Sequence, residues 1–298
     1  MKKMSIKNQS DYNSLRQSLF WITGALISFL TMAIAARELS DTLSPFVIVF
    51  FRTLFGFLII SACIIFYGFK HISTDQISFH FLRNSIHYLG VVAWITGVGL
   101  IPLAQVFALE FSVPIWVAIL AIIFLKEKMT IGKLIAIILG FIGVLVILQP
   151  GIIEIEYGSI VVLFAAFSFS IVHVCTKFLS KKDNASTILF IMFSMQLPVS
   201  MIFAYIFWTQ PSLEDLPWLM FVGVTALSGH YTLTRALMLA DATVILPIDF
   251  LRMPLIAILG YFLYSEPFSV YIFIGAILIF AGNYFNIYME QRNMDKLK

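Results

Sequence analysis

Ten apolar runs, each long enough to cross a bilayer, constrain this chain more than any other feature of its sequence. A spanning helix needs about 20 mostly apolar residues. The runs cover approximately 19–36, 45–67, 81–99, 103–124, 131–148, 157–178, 187–208, 216–238, 243–264 and 268–288. Charged residues make up only 12% of the chain, against about 25% in soluble domains. Strands of a membrane barrel would be shorter and strictly alternating, so we predict an all-α integral membrane protein with ten transmembrane helices.

The distribution of lysine and arginine predicts the orientation of these helices. With the N-terminus in the cytoplasm, the basic residues of the connections fall on the cytoplasmic side, Arg83 among them, and Arg37 alone falls outside. The outer connections are acidic instead. The positive-inside rule therefore predicts an N-in, C-in arrangement, with cytoplasmic tails at 1–18 and 289–298. The first run, preceded by Lys2 and Lys3, also resembles a signal peptide, but it is longer than the usual apolar region of about 7–15 residues.

The second half of the sequence repeats features of the first. The matching positions are an acidic pair, an apolar triplet, a second acidic pair and a glycine pair: Glu110 with Asp249, Ala118-Ile119-Leu120 with Ala257-Ile258-Leu259, Glu127 with Glu266, and Gly143 with Gly282. Five runs separate the two copies, and because five is odd the copies are predicted to lie upside-down relative to each other. Inverted repeats of this kind build many secondary transporters. We therefore predict two inverted five-helix repeats, at 19–150 and 151–288.

Ionisable side chains inside the apolar runs mark the candidate functional site, because such groups are costly in a membrane. Asp249 and Arg252 lie three residues apart and share one helix face, and Arg52 is a candidate partner for Glu110. Each pair is compatible with a structural role, with substrate or proton binding, or with both. The residues that we predict to bind substrate or to couple transport are Arg52, Glu110, Asp249, Arg252, His87, Trp94, His230 and Tyr231.

Several of these candidates also have a purely structural interpretation. A histidine in an apolar helix more often packs than binds, which applies to His87, His173 and His230. Arg235 is expected to extend towards the membrane interface. Pro114, Pro247 and Pro254 are expected to kink the fourth and ninth helices and to free backbone carbonyls near the site. 

Soluble-enzyme and cofactor signatures are missing from the sequence. There is no Walker A motif, no GxGxxG and no HExxH, so we expect neither an enzyme nor an ATPase, and no cofactor. The two cysteines, Cys63 and Cys175, lie apart in apolar runs without metal-ligand spacing. The net charge of +3 is not arranged in a basic stripe, so we expect no nucleic-acid partner.

A pattern that occurs twice resembles drug/metabolite transporters of the EamA type. It runs from a small polar helix entry through a proline to an acid and a glycine-rich helix: Pro102-Leu103-Ala104-Gln105, Pro114, Lys126-Glu127, Gly140 and Gly143, then Leu239-Ala240-Asp241-Ala242-Thr243, Pro254, Ser265-Glu266, Gly275 and Gly282. Phe50-Phe51-Arg52 and the segment from Leu246 to Arg252 add to the resemblance, which covers about 18–288. It implies ten helices around a central cavity. It also implies substrates such as amino acids, nucleosides, vitamins or S-adenosylmethionine.

Within that family the overall pattern is most similar to S-adenosylmethionine uptake carriers, with riboflavin carriers close by. The expected function is secondary transport of a small polar metabolite across the cytoplasmic (inner) membrane of a bacterium by alternating access. Export of amino acids and riboflavin transport are the alternatives within this class, and a membrane-embedded enzyme or a structural subunit are the alternatives outside it. The expected partners are a small-molecule substrate and the lipid bilayer. Coupling to a proton or substrate gradient and a homodimer through small-residue faces stay open at this point.

Overall fold

The computed structural model of the chain describes residues 9–67, 72–124, 128–152, 154–239 and 248–297. These residues are almost entirely helical. The helices are α1 (Gln9–Ser40), α2 (Pro45–Tyr67), α3 (Ile77–Leu100), α4 (Leu103–Glu110), α5 (Val113–Phe124), α6 (Ile131–Leu148), α7 (Tyr157–Leu179), α8 (Ala185–Ile206), α9 (Asp215–Leu239), α10 (Arg252–Tyr264) and α11 (Val270–Leu297).

The structure modifies some of the predicted helix boundaries. The predicted fourth helix is divided at Phe111 and Ser112 into α4 and α5. The predicted tails are partly helical, because α1 begins at Gln9 and α11 continues to Leu297. Pro247 and the acid Glu127 lie outside the described residues, so the predictions made for them stay predictions.

Seven of the described helical segments are long and apolar enough to cross a membrane, and α10 is a shorter apolar helix. Neither α3 nor α9 belongs to those seven. These two helices occupy equivalent positions in the two halves of the sequence, and they carry the polar side chains His87 and His230. Their lower hydropathy is what a helix needs if it lines a polar interior rather than facing lipid on all sides.

Helix packing shows that the two repeats are related by a pseudo-two-fold axis. A Cβ added to Gly90 of α3 would meet Ser168 of α7, and one added to Gly229 of α9 would meet Phe29 of α1. In the register that aligns Glu110 with Asp249, Gly90 corresponds to Gly229 and Ser168 corresponds to Phe29. The same contact therefore occurs once on each side of the molecule, with α3 packing on α7 and α9 packing on α1.

The crossing of α6 and α11 has the same symmetry. A Cβ on Gly143 would lie 2.6 Å from the carbonyl oxygen of Gly275, and a Cβ on Gly282 would lie 3.1 Å from the Cα of Ala136. The repeat register exchanges these two contacts. Small residues let the two helix backbones approach closely here. Since this small-residue face of α6 is used inside one chain, a homodimer would need a different surface.

Candidate functional site

An ion cluster joins the two repeats where the fourth and ninth predicted helices are interrupted. Arg252, the first residue of α10, donates to Asp249 Oδ2 at 2.7 Å, and its Nη1 lies 3.6 Å from Oε1 of Glu110, the last residue of α4. The side chains of Arg252 and Asp249 are 9% and 7% exposed, against 21% for Glu110. One arginine therefore holds two acids at the positions that the sequence repeat aligns.

The interruption of the helices has a local cause. Proline lacks the N–H that would donate to the carbonyl four residues earlier, so Pro114 leaves the carbonyl of Glu110 without its helical partner. The end of a helix dipole favours an opposite charge, and here the Arg252 guanidinium lies beside Glu110, the last residue of α4, while the Asp249 carboxylate lies next to the start of α10. Broken helices with ionisable groups at their ends form the midplane sites of many transporters.

Aromatic rings enclose this cluster. The Arg252 guanidinium lies 4.8 Å from the ring centroid of Phe29, 5.6 Å from that of Phe107 and 5.2 Å from that of Phe111. Each ring face attracts a cation, and more strongly when water is excluded. Trp94 Nε1 donates to Glu110 Oε2 at 2.7 Å, so the predicted site residue Trp94 does reach the cluster.

A second group of polar side chains lies between α2, α3, α8 and α9. Arg52 is 2% exposed, and its Nη1 has no hydrogen-bond partner among the described residues. Arg83 is 6% exposed and donates to the Asn84 side-chain oxygen at 2.7 Å and to Thr176 Oγ1 at 3.2 Å. We call Arg52 and Arg83 the basic pair. Within the described parts of the chain, both arginines lack a carboxylate partner.

Histidine rings connect the basic pair to the ion cluster. The ring centroids of His87 and His230 lie 6.1 Å apart, and Gln196 Nε2 lies 2.8 Å from Nδ1 of His87. Both rings interact electrostatically with the basic pair, and His230 also interacts with Arg252. The two groups of charges are therefore parts of one polar interior.

The structure brings most of the predicted site residues together, with two differences. Tyr231 is largely exposed, and its ring packs edge-on against Trp21, 5.9 Å away and apart from the polar interior. Arg52 does not pair with Glu110, because Arg252 takes that position. Arg235 lies over the same Trp21 ring, 5.7 Å from its centroid.

Sequence reasoning missed two members of the polar interior. Arg83 was assigned to the cytoplasmic edge, but α3 begins at Ile77, so Arg83 lies about 9 Å inside the helix at 1.5 Å per residue. Gln196 is buried on α8. The only sequence feature that could have indicated it is an amide side chain inside an apolar run.

Hydrogen bonds close the bundle at the end where α1 finishes. Arg37 Nη2 lies 2.9 Å from Glu266 Oε1, and its Nη1 donates to the carbonyls of Val98 and Ile101. The other Glu266 oxygen accepts from the Leu103 backbone N–H at 2.8 Å. These contacts tie α1 and the α3–α4 connection of the first repeat to the α10–α11 connection of the second. We call this arrangement the Arg37 lock.

Polar contacts near the start of α9 add to the closure at this end. Asp215 accepts three hydrogen bonds, from the Ser212 N–H at 2.8 Å, the Ser212 hydroxyl at 2.9 Å and the Thr42 hydroxyl at 3.2 Å. Burial favours the neutral form of the carboxyl group, but the effect of these hydrogen bonds on the charged form is larger. They hold the pKa of Asp215 below its usual value. The connection before α9 is thereby fixed to the end of α1.

With the broken helices, the repeat symmetry and the polar interior established, comparison with known proteins identifies the family. The model of the EamA-like transporter family matches the chain twice, over residues 16–149 and 156–288. The chain belongs to the EamA-like transporter family. Membership shows a multi-pass membrane transporter with ten helices in two repeats, and not an enzyme.

Named relatives of this EamA-like transporter are bacterial. An S-adenosylmethionine uptake transporter of Rickettsia bellii is 26% identical over 93% of this chain and 95% of its own length. A riboflavin transporter of Brucella anthropi is 28% identical over 72% of this chain and 78% of its own length. A solved crystal structure with 14% identity has a TM-score of 0.64, covering 92% of this chain and 98% of its own, and it shows the shared fold alone.

Proposed function

We propose that this protein is a secondary carrier that takes up S-adenosylmethionine by alternating access, with the ion cluster of Glu110, Asp249 and Arg252 in its transport path. The observation that supports the proposal is the position of this cluster. It joins equivalent points of two inverted repeats, at the ends of two interrupted helices. Two similar repeats around one site exchange roles when the carrier changes the side from which the site is open.

The ion cluster suits a substrate that carries both positive and negative groups. Glu110 and Asp249 share a single cation, so an arriving sulfonium or ammonium group would meet a carboxylate that Arg252 only partly neutralises. The aromatic rings around Arg252 offer additional faces for a cation or a stacked base. S-adenosylmethionine has all of these groups. Relatives of this chain are named as S-adenosylmethionine uptake transporters and as riboflavin transporters.

The Arg37 lock supports a specific conformational state. With the proposed N-in, C-in orientation, the lock lies on the outer side, so the described state is closed to the outside. Opening requires the Arg37–Glu266 pair to separate while the cytoplasmic side of the carrier closes. A substrate or proton gradient would drive this exchange, since the sequence has no nucleotide-binding motif.

Uptake of radiolabelled S-adenosylmethionine into cells that express the protein tests the proposal. We expect saturable uptake that unlabelled S-adenosylmethionine abolishes and that riboflavin, amino acids and nucleobases do not. Asp249→Asn should lose uptake while still reaching the membrane, and Arg292→Gln on the exposed end of α11 is the matched control. Absence of uptake by verified membrane-inserted wild type would remove this substrate. Riboflavin uptake and amino-acid export would then be measured in the same cells.

A further inference from the structure

The charges of the polar interior are unevenly distributed. At one side, a single arginine, Arg252, faces the two acidic side chains of Glu110 and Asp249. Elsewhere in the interior, Arg52 and Arg83 are buried without a carboxylate partner among the described residues, and Arg83 donates to the neutral side chains of Asn84 and Thr176. A buried cation without a counterion is costly, and buried charges in proteins are normally paired.

Arg52 shows the imbalance most clearly. It is 2% exposed, and its Nη1 has no hydrogen-bond partner within the part of the chain that the structure describes. The backbone around it is fixed, because a Cβ on Gly223 of α9 would lie 3.4 Å from the Arg52 carbonyl oxygen. Its Nη1 donors are therefore buried in the interior and unused by the described residues.

Among the described residues, the polar groups near the basic pair carry no negative charge. His87 and His230 interact electrostatically with both arginines, and Gln196 approaches His87. Arginine has a planar fork of donors that matches a carboxylate or phosphate in bidentate geometry. Two arginines, with an amide and imidazole groups in the same polar interior, offer the kind of donors that bind an oxyanion.

We propose that the basic pair binds an oxyanion of the transported molecule, of the carboxylate type, and that the ion cluster binds the cationic part of the same molecule. This inference rests on the proposed transport function and names the substrate class. The negative group of the substrate neutralises the positive charge of the basic pair, so a molecule that lacks this group binds poorly. Arg83 is thereby assigned to substrate binding, together with Arg52.

The first test needs no ligand. The unfolding temperature of the purified, full-length protein is measured for wild type, Arg52→Met and Arg292→Met. Because Arg52→Met removes a buried charge that has no carboxylate partner among the described residues, we expect a higher unfolding temperature than for wild type. Arg292→Met, at an exposed position, should leave it unchanged. An Arg52 that serves the fold would give the opposite result, and a lower unfolding temperature for Arg52→Met would overturn the proposal.

The second test compares two probes that differ only in the anion. Binding of S-adenosylmethionine and of its decarboxylated analogue is measured for wild type and for Arg52→Met. Wild type should prefer the carboxylate-bearing probe by at least about tenfold, and Arg52→Met should bind the two probes with equal affinity. Equal binding by wild type, or a preference that survives in the variant, would contradict the inference.

Further probe pairs separate this inference from the choice of substrate. If wild type binds neither of the first two probes, the same comparison is made with methionine and methioninamide, and with riboflavin phosphate and riboflavin. Preference for the member that carries the oxyanion group, lost in Arg52→Met, supports the basic pair while replacing S-adenosylmethionine as substrate. Binding only of the members that lack the oxyanion group would overturn the inference and leave the transport function standing. If no probe binds, the inference is judged from the unfolding temperatures of wild type and Arg52→Met alone.

Discussion

Replacement of Arg252 by glutamine tests the structure of the ion cluster directly. The substitution removes the cation from Asp249, 2.7 Å away, and from Glu110, 3.6 Å away, and leaves two carboxylates in an enclosed site. Breaking a buried ion pair by removing one partner costs about 3–5 kcal/mol. At about 2 °C for each kcal/mol in a chain of this size, the unfolding temperature should fall by roughly 6–10 °C.

The assay is thermal unfolding of the purified protein in detergent at neutral pH, with Arg292→Gln as the matched control. Adding Asp249→Asn to Arg252→Gln should restore part of the loss, because the second substitution removes one of the unpaired acids. A double-mutant cycle isolates that coupling. If Arg252→Gln unfolds within 2 °C of wild type, or if the double variant is no more stable than the single one, the pairing described here is refuted.

Three further substitutions probe other parts of the account. Gly143→Ala should destabilise the α6–α11 crossing by about 1–3 kcal/mol through overpacking. Gly24→Ala, whose Cβ would meet the Thr232 methyl group at 3.3 Å rather than backbone at 2.6 Å, should have a smaller effect in the same unfolding assay. Asp215→Asn should lower the free energy of unfolding at pH 7 by about 1–2 kcal/mol. Because the native pKa of Asp215 is depressed, the difference between variant and wild type should shrink as pH falls below about 4. A difference that does not depend on pH would contradict this. Glu266→Ala removes the acceptor of the Arg37 lock. With Ser159→Cys as a reporter cysteine, the rate of labelling by a membrane-impermeant thiol reagent should rise about tenfold or more when Glu266→Ala is added. An unchanged labelling rate would show that the lock does not hold that end closed.

The number of helices and the candidate site residues follow from the sequence because both depend on local properties. Hydropathy over about 20 residues marks a span, and an ionisable residue inside a span is conspicuous by type alone. The repeat was visible for the same reason, since aligned acids and glycines need no structure to be recognised. The packing of Gly143 on Gly275 then shows why glycine is required there.

The pairing of charges depends on how helices pack, and the sequence does not carry that information locally. Arg52 and Arg252 are both mid-run arginines, and only the structure shows that Arg252 neutralises Glu110 while Arg52 lies in another part of the interior. Arg83 was misplaced because helix starts are uncertain by several residues. The Arg37 lock joins residues more than 200 positions apart, a distance at which no sequence periodicity acts.

The measurement that tests the central claim most directly is counterflow in proteoliposomes that contain purified protein. Vesicles are loaded with unlabelled S-adenosylmethionine, and accumulation of external label is followed for wild type and for Glu110→Gln. The account predicts transient accumulation with wild type and at least about tenfold slower exchange with Glu110→Gln, whose charge no longer faces Arg252. Wild-type vesicles that accumulate no more label than protein-free vesicles would contradict S-adenosylmethionine transport, and normal exchange by Glu110→Gln would contradict the role of the ion cluster.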